Sequence, residues 1–165
     1  MLAMDDRNAD YWITHLRLQP HPEGGYYKEV FRSETEIMRP PSLLPKKACT
    51  SIYYLLEGAD FSGFHRIASD EIWYFHKGAP LNIHVIDKAG EHLILELSDK
   101  PTGSLSVVVN AGFWFAADIP SANDFTLVSC AVAPGFEFSE FEMGGREQLT
   151  ALYPQHSGLF VKLCR

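Results

Sequence analysis

Nine short segments rich in Val, Ile, Tyr, Phe and Leu recur from Tyr26 onward: "YYKEVFR", "SIYYLL", "SGFHRI", "EIWYFH", "LNIHVI", "HLILEL", "LSVVVN", "FWFAA" and "FTLVSCAV". Each is about five to eight residues long, the length of a strand, and turn residues separate them. Gly58, Gly78, Gly90 and Gly103, with Pro101, Pro120 and Pro134, supply the breaks. Runs at this spacing predict an all-β sandwich or barrel, because βαβ units would place a helical period between strands.

Two segments depart from that pattern. "NADYWITHLR" sets Trp12 and Leu16 four apart with Ile13 beside them, behind an Asn8 cap, so a short helix is predicted over about 8–17. Pro20 and Pro22 then end it. "REQLTALYP" has good helix formers and stops at Pro154, which predicts a second helix over about 146–152. The three prolines of "MRPPSLLPKK" read as a surface loop. The strands between span about 25–140, and the 165 residues are read as a single domain.

Fourteen Lys and Arg against 21 Asp and Glu leave a formal charge of -7, a poor match for a nucleic-acid polymer. Cys49, Cys130 and Cys164 are odd in number and lack CxxC spacing, which fits reduced thiols in a cytoplasmic protein. The start "MLAMDDRNAD" turns acidic without a basic-then-apolar signal, and no apolar run reaches membrane-spanning length.

The chemistry concentrates in "SGFHRIASDEIWYFHKG". With a turn at Ala68-Ser69-Asp70, Gly63, His65 and Ile67 share one face of the first strand, and Glu71, Trp73 and Phe75 share a face of the second. If the two faces coincide, His65 and Glu71 are partners on neighbouring strands within an apolar surface, where a lone carboxylate is costly. The adjacent carboxylate would keep the imidazole charged to higher pH, which suits proton transfer; a hydrogen-bonded pair that only fixes the hairpin is the other reading. Tyr74 and His76 fall on the opposite face, toward an outer contact or dimer interface unless a bulge intervenes. Ahead of the first strand, "PHPEGGYYKEVFR" offers His21, Glu23, Tyr26 and Arg32, with Gly24-Gly25 allowing a sharp turn across a barrel mouth. Arg32 is read either as a clamp for a phosphate or carboxylate or as half of a surface ion pair. His15, His84, His92 and His156 have no evident partners and read as ordinary histidines. Gly144-Gly145 lacks the context of a phosphate loop, and no Gly-x-Ser-x-Gly elbow occurs.

His65, Glu71 and Gly78 fall on the first motif of the cupin superfamily, with Ile67 in place of its second histidine. In the later motif Gly112 matches, Asn110 stands at the proline and Phe115 at the histidine. Two of the four usual metal ligands are therefore absent, leaving His65 and Glu71 as weak metal candidates; no cofactor is assigned. The segments "HPEGGYY", "SDEIWYFH" and "APGFEF" resemble a family of small single-domain cupins of unassigned function. The resemblance implies a double-stranded β-helix, a jelly-roll barrel with short terminal helices, usually dimeric, with a pocket inside. It also implies a small-molecule ligand, by analogy with sugar and nucleotide-sugar epimerases and isomerases of similar fold. On that reading His65 and Glu71 are catalytic, and Glu23, Tyr26, Arg32, Tyr54, Trp73, Phe75, His76, Trp114 and Phe115 bind ligand. A non-catalytic binding module is the alternative, and a metal-dependent oxygenase a weaker one.

Overall fold

The computed structural model describes residues 7–42 and 44–165. In chain order the elements are α1 (Ala9–Leu16), β1 (Gln19–Pro20), β2 (Tyr26–Arg32), β3 (Glu36–Met38), β4 (Pro45–Lys47), β5 (Thr50–Glu57), β6 (Phe61–Ile67) and β7 (Asp70–Gly78). There follow β8 (Leu81–Ile86), β9 (His92–Leu97), β10 (Ser106–Val109), β11 (Trp114–Asp118), β12 (Phe125–Ala133), β13 (Phe141–Met143), α2 (Arg146–Leu152) and α3 (Ser157–Leu163).

Two antiparallel sheets face each other in a jelly roll. One runs β1-β2-β5-β12-β7-β10 and the other β13-β6-β11-β8-β9. Their inner faces alternate apolar side chains, including Tyr54, Leu56, Trp73, Ile83, Phe115 and Val128, and bury them as one core. Helix α1, with Leu18 just after it, covers the back of the first sheet, packing Ala9 and Leu18 in one cluster with Leu55 and Leu127. It starts where Asn8 Oδ1 accepts the Tyr11 N–H at 3.0 Å and stops at Arg17, whose backbone is left-handed. Helices α2 and α3 cover the back of the second sheet, packing Leu149, Phe160 and Leu163 on Phe64, Trp114 and Ala116.

Several expectations are corrected. Segment α3 and the β3–β4 ribbon are real elements, with β4 and the last residue of β3, Met38, falling in the segment read as a loop; its Pro45 is tolerated because this two-stranded sheet consists only of edges. Strands β6 and β7 are not neighbours: the two-residue link Ala68-Ser69 turns a corner from one sheet to the other. A bulge sits where β12 pairs Leu127 with Lys77 but Val128 with Phe75, so His76 is the extra residue. The histidines read as unpaired are linked: His84 Nε2 lies 3.1 Å from Asp118 Oδ1, and His84 Nδ1 lies 3.1 Å from His92 Nε2. Lys162 of α3 pairs with the other oxygen of Asp118, and His156 Nε2 donates to Gly90 O at 2.8 Å. The three cysteines are free thiols. Among the described residues no helix is long and apolar enough to cross a membrane.

Candidate functional site

A cavity of about 290 Å³ lies at one end of the sandwich, where β5 and β7 begin and β6 and β12 finish. Glu71 enters it from β7 and His65 and Ile67 from β6, so the two sheets supply the imidazole and the carboxyl from opposite sides. The chain before β2 closes the end. Gly24 and Gly25 both have positive φ, and a Cβ on Gly24 would stand 2.1 Å from Phe61 O. The tight passage carries His21 and Glu23 into the cavity. Arg165 holds it there, donating from Nε to Glu23 O at 2.7 Å and pairing with Asp60, which in turn accepts the Gly25 N–H at 2.8 Å.

His65 takes Glu23, not Glu71, as its carboxyl partner: Nε2 lies 3.1 Å from Glu23 Oε2. Its Nδ1 lies 2.8 Å from Gly63 O, which can only accept, so Nδ1 carries a hydrogen. Nε2 and Oε2 stand in ion-pair contact, and when the Glu23–His65 pair holds one proton it has no net charge on whichever side that proton sits. Burial pushes His65 down to about 4, opposed by the Gly63 hydrogen bond, so the sequence expectation of an imidazole kept charged is reversed. Burial also raises Glu23, against the lowering influence of His21 and of the nearby Ser62 and Tyr54 hydroxyls. Both directions place the proton on Glu23. His21 is lowered, mainly by burial. Burial, with Glu23 nearby, pushes Glu71 up to about 8, against hydrogen bonding from the Cys130 thiol. At neutral pH Glu71 thus keeps its proton and His65 is neutral, with Glu23 biased toward its protonated form.

Other residues singled out from the sequence fall in distinct places. Arg32 lines the cavity but is held in an ion pair, Nε and NH2 on the two Glu29 oxygens at 3.0 and 2.8 Å and NH1 on Glu137 at 3.1 Å. Tyr27 lines the cavity, whereas Tyr26 packs under α1. Tyr54, Trp73 and Phe115 are core: the Tyr54 hydroxyl donates to Gly24 O at 2.8 Å, and the Phe115 ring packs 4.1 Å from that of His65. Phe75 packs against the same core. Trp114 lies on the outer face under α2 and α3, with the Arg66 guanidinium 4.5 Å over its ring, because it is adjacent to Phe115 and strand neighbours point oppositely. His76 faces outward, bonded to Ser129 Oγ beside a shallow groove under α1.

Sequence reasoning passed over Cys130, Arg165 and the rings of Phe136, Phe138 and Phe141 at the cavity mouth. The i, i+2 spacing of Phe136 and Phe138 was the available signal; nothing local marks Arg165, which reaches the site from far along the chain. A cupin metal centre does not fit these residues. Ile67 and Phe115 offer no donor atoms, and both nitrogens of His65 are already engaged. Among the described residues, no group of three or more His, Cys, Asp or Glu is placed to hold a metal ion.

Two facing antiparallel sheets with a side-chain-lined cavity at one end define a cupin. The chain belongs to the family described as Cupin superfamily (DUF985), whose model matches residues 10–144. It is similar to a hypothetical protein from Leishmania major, at 33% identity and TM-score 0.90 over 95% of this chain and 98% of that one. Protein SO0799 from Shewanella oneidensis is 39% identical with TM-score 0.87, covering 96% and 98% respectively. The uncharacterized protein YML079W of Saccharomyces cerevisiae is 27% identical over 85% of this chain and 77% of its own.

Proposed function

We propose that the cavity binds a small polar molecule and moves a proton on it, in the manner of an isomerase or epimerase. The observation that carries this reading is the meeting of Glu71 with the buried Glu23–His65 pair inside one cavity. Protonated Glu71 is a ready acid near pH 7, and the Glu23–His65 pair on the opposite wall takes a proton from the substrate as Glu71 gives one, so the positive charge gained by the pair is offset by the negative charge left on Glu71. Groups whose environments shift them this far cluster at sites of proton transfer. A sugar carrying an amino group satisfies the size and polarity; a nucleotide-sugar does not, because its diphosphate would meet an arginine already committed to two glutamates.

Solvent deuterium is the test. A panel of free sugars and amino sugars is incubated with the protein in D2O and followed by proton NMR. Uptake of deuterium at a carbon-bound position, slowed about a hundredfold or more in Glu71→Gln and in His65→Ala, is the expected result. Uptake at equal rates in the variants would remove these residues from the reaction. Stabilisation by a sugar without any uptake would favour the non-catalytic binding module.

A further inference from the structure

We infer that the cavity is built for a small organic cation, a primary or methylated ammonium on a compact carbon frame, with its charged head between Glu71 and an aromatic rim. This names the ligand class of the same cavity and rests on its being a ligand site. The first observation is the charge of the walls. Glu23, Glu29, Glu71 and Glu137 line the cavity against one guanidinium, Arg32, and that guanidinium is bound to Glu29 and Glu137. The neighbouring imidazoles, His21 and His65, are both biased toward their neutral forms. An anion entering here meets carboxyls without a free counter-charge.

Glu71 is the second observation. It is 8% exposed and borders the cavity, yet among the described residues it has no cationic partner; the Cys130 thiol is its hydrogen-bonding neighbour. A buried carboxyl without a counter-charge is costly to ionise, and a guest cation supplies what the protein withholds.

The third is the rim. His21, Tyr27, Phe136, Phe138 and Phe141 all line the cavity. Their rings form a connected set: Phe136 to Phe138 at 4.9 Å, Phe138 to Phe141 at 6.2 Å, Phe141 to His21 at 6.3 Å and His21 to Tyr27 at 4.5 Å. Phe138 remains 55% exposed although its neighbours are packed, so the rim keeps an apolar edge left uncovered among the described residues. Ring faces carry negative potential and attract a poorly hydrated ammonium; they give an anion nothing. Carboxyls beneath and rings around select for positive charge combined with hydrocarbon.

Isothermal titration with isosteric probes tests the assignment. Benzylamine, benzyl alcohol and benzoate differ only in the head group, and choline is compared with its uncharged analogue 3,3-dimethylbutan-1-ol. Each cation should bind about tenfold or more tightly than its neutral counterpart, with benzoate weakest. In Glu71→Gln the amine's advantage should shrink to about threefold or less while alcohol binding persists, and Phe138→Ala should weaken the cations most. Glu137→Gln, at the mouth, gives the same direction by a substitution away from the buried core. Alcohols or benzoate binding as well as the cations would overturn the cation assignment and leave the cavity standing as a ligand site. Failure of all five probes at millimolar concentration would overturn both. Absence of deuterium uptake by sugars would bear only on proton transfer.

Discussion

Glu71 keeps its proton far above the usual carboxyl range and His65 loses its own far below the usual imidazole range, so folding transfers a proton from one to the other. The consequence for stability follows from proton counts. Between pH 4.5 and 6.5 the unfolded chain holds a proton on His65 and the folded chain holds one on Glu71, so the two contributions cancel. Above 6.5 only folded Glu71 holds an extra proton, and its contribution to stability declines until about pH 8. The slope is at most about 1.4 kcal/mol per pH unit for one group. Urea unfolding of wild type and Glu71→Gln at about pH 6.5 and about pH 8.5 should show a steeper loss in wild type. Parallel behaviour of the two would mean that Glu71 is not held protonated. At this scale the sequence was partly readable. The inward direction of His65 and Glu71 follows from strand parity, and so does the opposition of Trp114 to Phe115. The Glu23 partner of His65 was unreadable, since a contact between residues 42 apart depends on where a loop crosses the barrel.

The loop before β2 is where one element decides the site. Its path needs positive φ at Gly24 and Gly25, and its backbone is tied by Gly63 N to Glu23 O at 2.8 Å as well as by Arg165. Gly24→Ala forces a Cβ against Phe61 O and the Arg165 guanidinium, so the loop must shift and Glu23 with it. Gly112 has φ +79 but no atom within 4 Å of a built Cβ, so Gly112→Ala bears the backbone strain alone. Both should lower the unfolding midpoint, by roughly 1–3 kcal/mol of stability. Only Gly24→Ala should also weaken benzylamine binding in calorimetry. Equal binding losses would show that the Glu23 loop is no special determinant. The glycine pair announces the turn in sequence, as the apolar stripe and Asn8 announce α1. The β6–β7 corner reads like a hairpin because two residues can either reverse a strand within one sheet or carry it to the facing one. Local pattern does not separate these cases.

Four layers build the molecule: α1, the two sheets, and the α2–α3 pair. Nine strand-length apolar runs with turn residues between them made the middle layers legible, but the outer one was half hidden because α3 is a single short helix after Pro154. That outer layer serves two separable ends. Phe160, fully buried against Phe64 at 5.3 Å between ring centroids, binds the layer to the second sheet. Phe160→Ala leaves a cavity there and should cost about 3–5 kcal/mol. Arg165 is exposed, with its guanidinium over the Phe61 ring, and it holds Glu23 O and pairs with Asp60 beneath the loop. Arg165→Ala should therefore change denaturant stability far less than Phe160→Ala while lowering benzylamine affinity more. The comparison needs unfolding curves and titrations on both variants under native buffer, where each remains folded. If the two measurements fell together in both variants, the layer would act only as a structural cover. If they separate as argued, the outer layer positions the cavity's carboxyl through a contact that core packing alone does not provide.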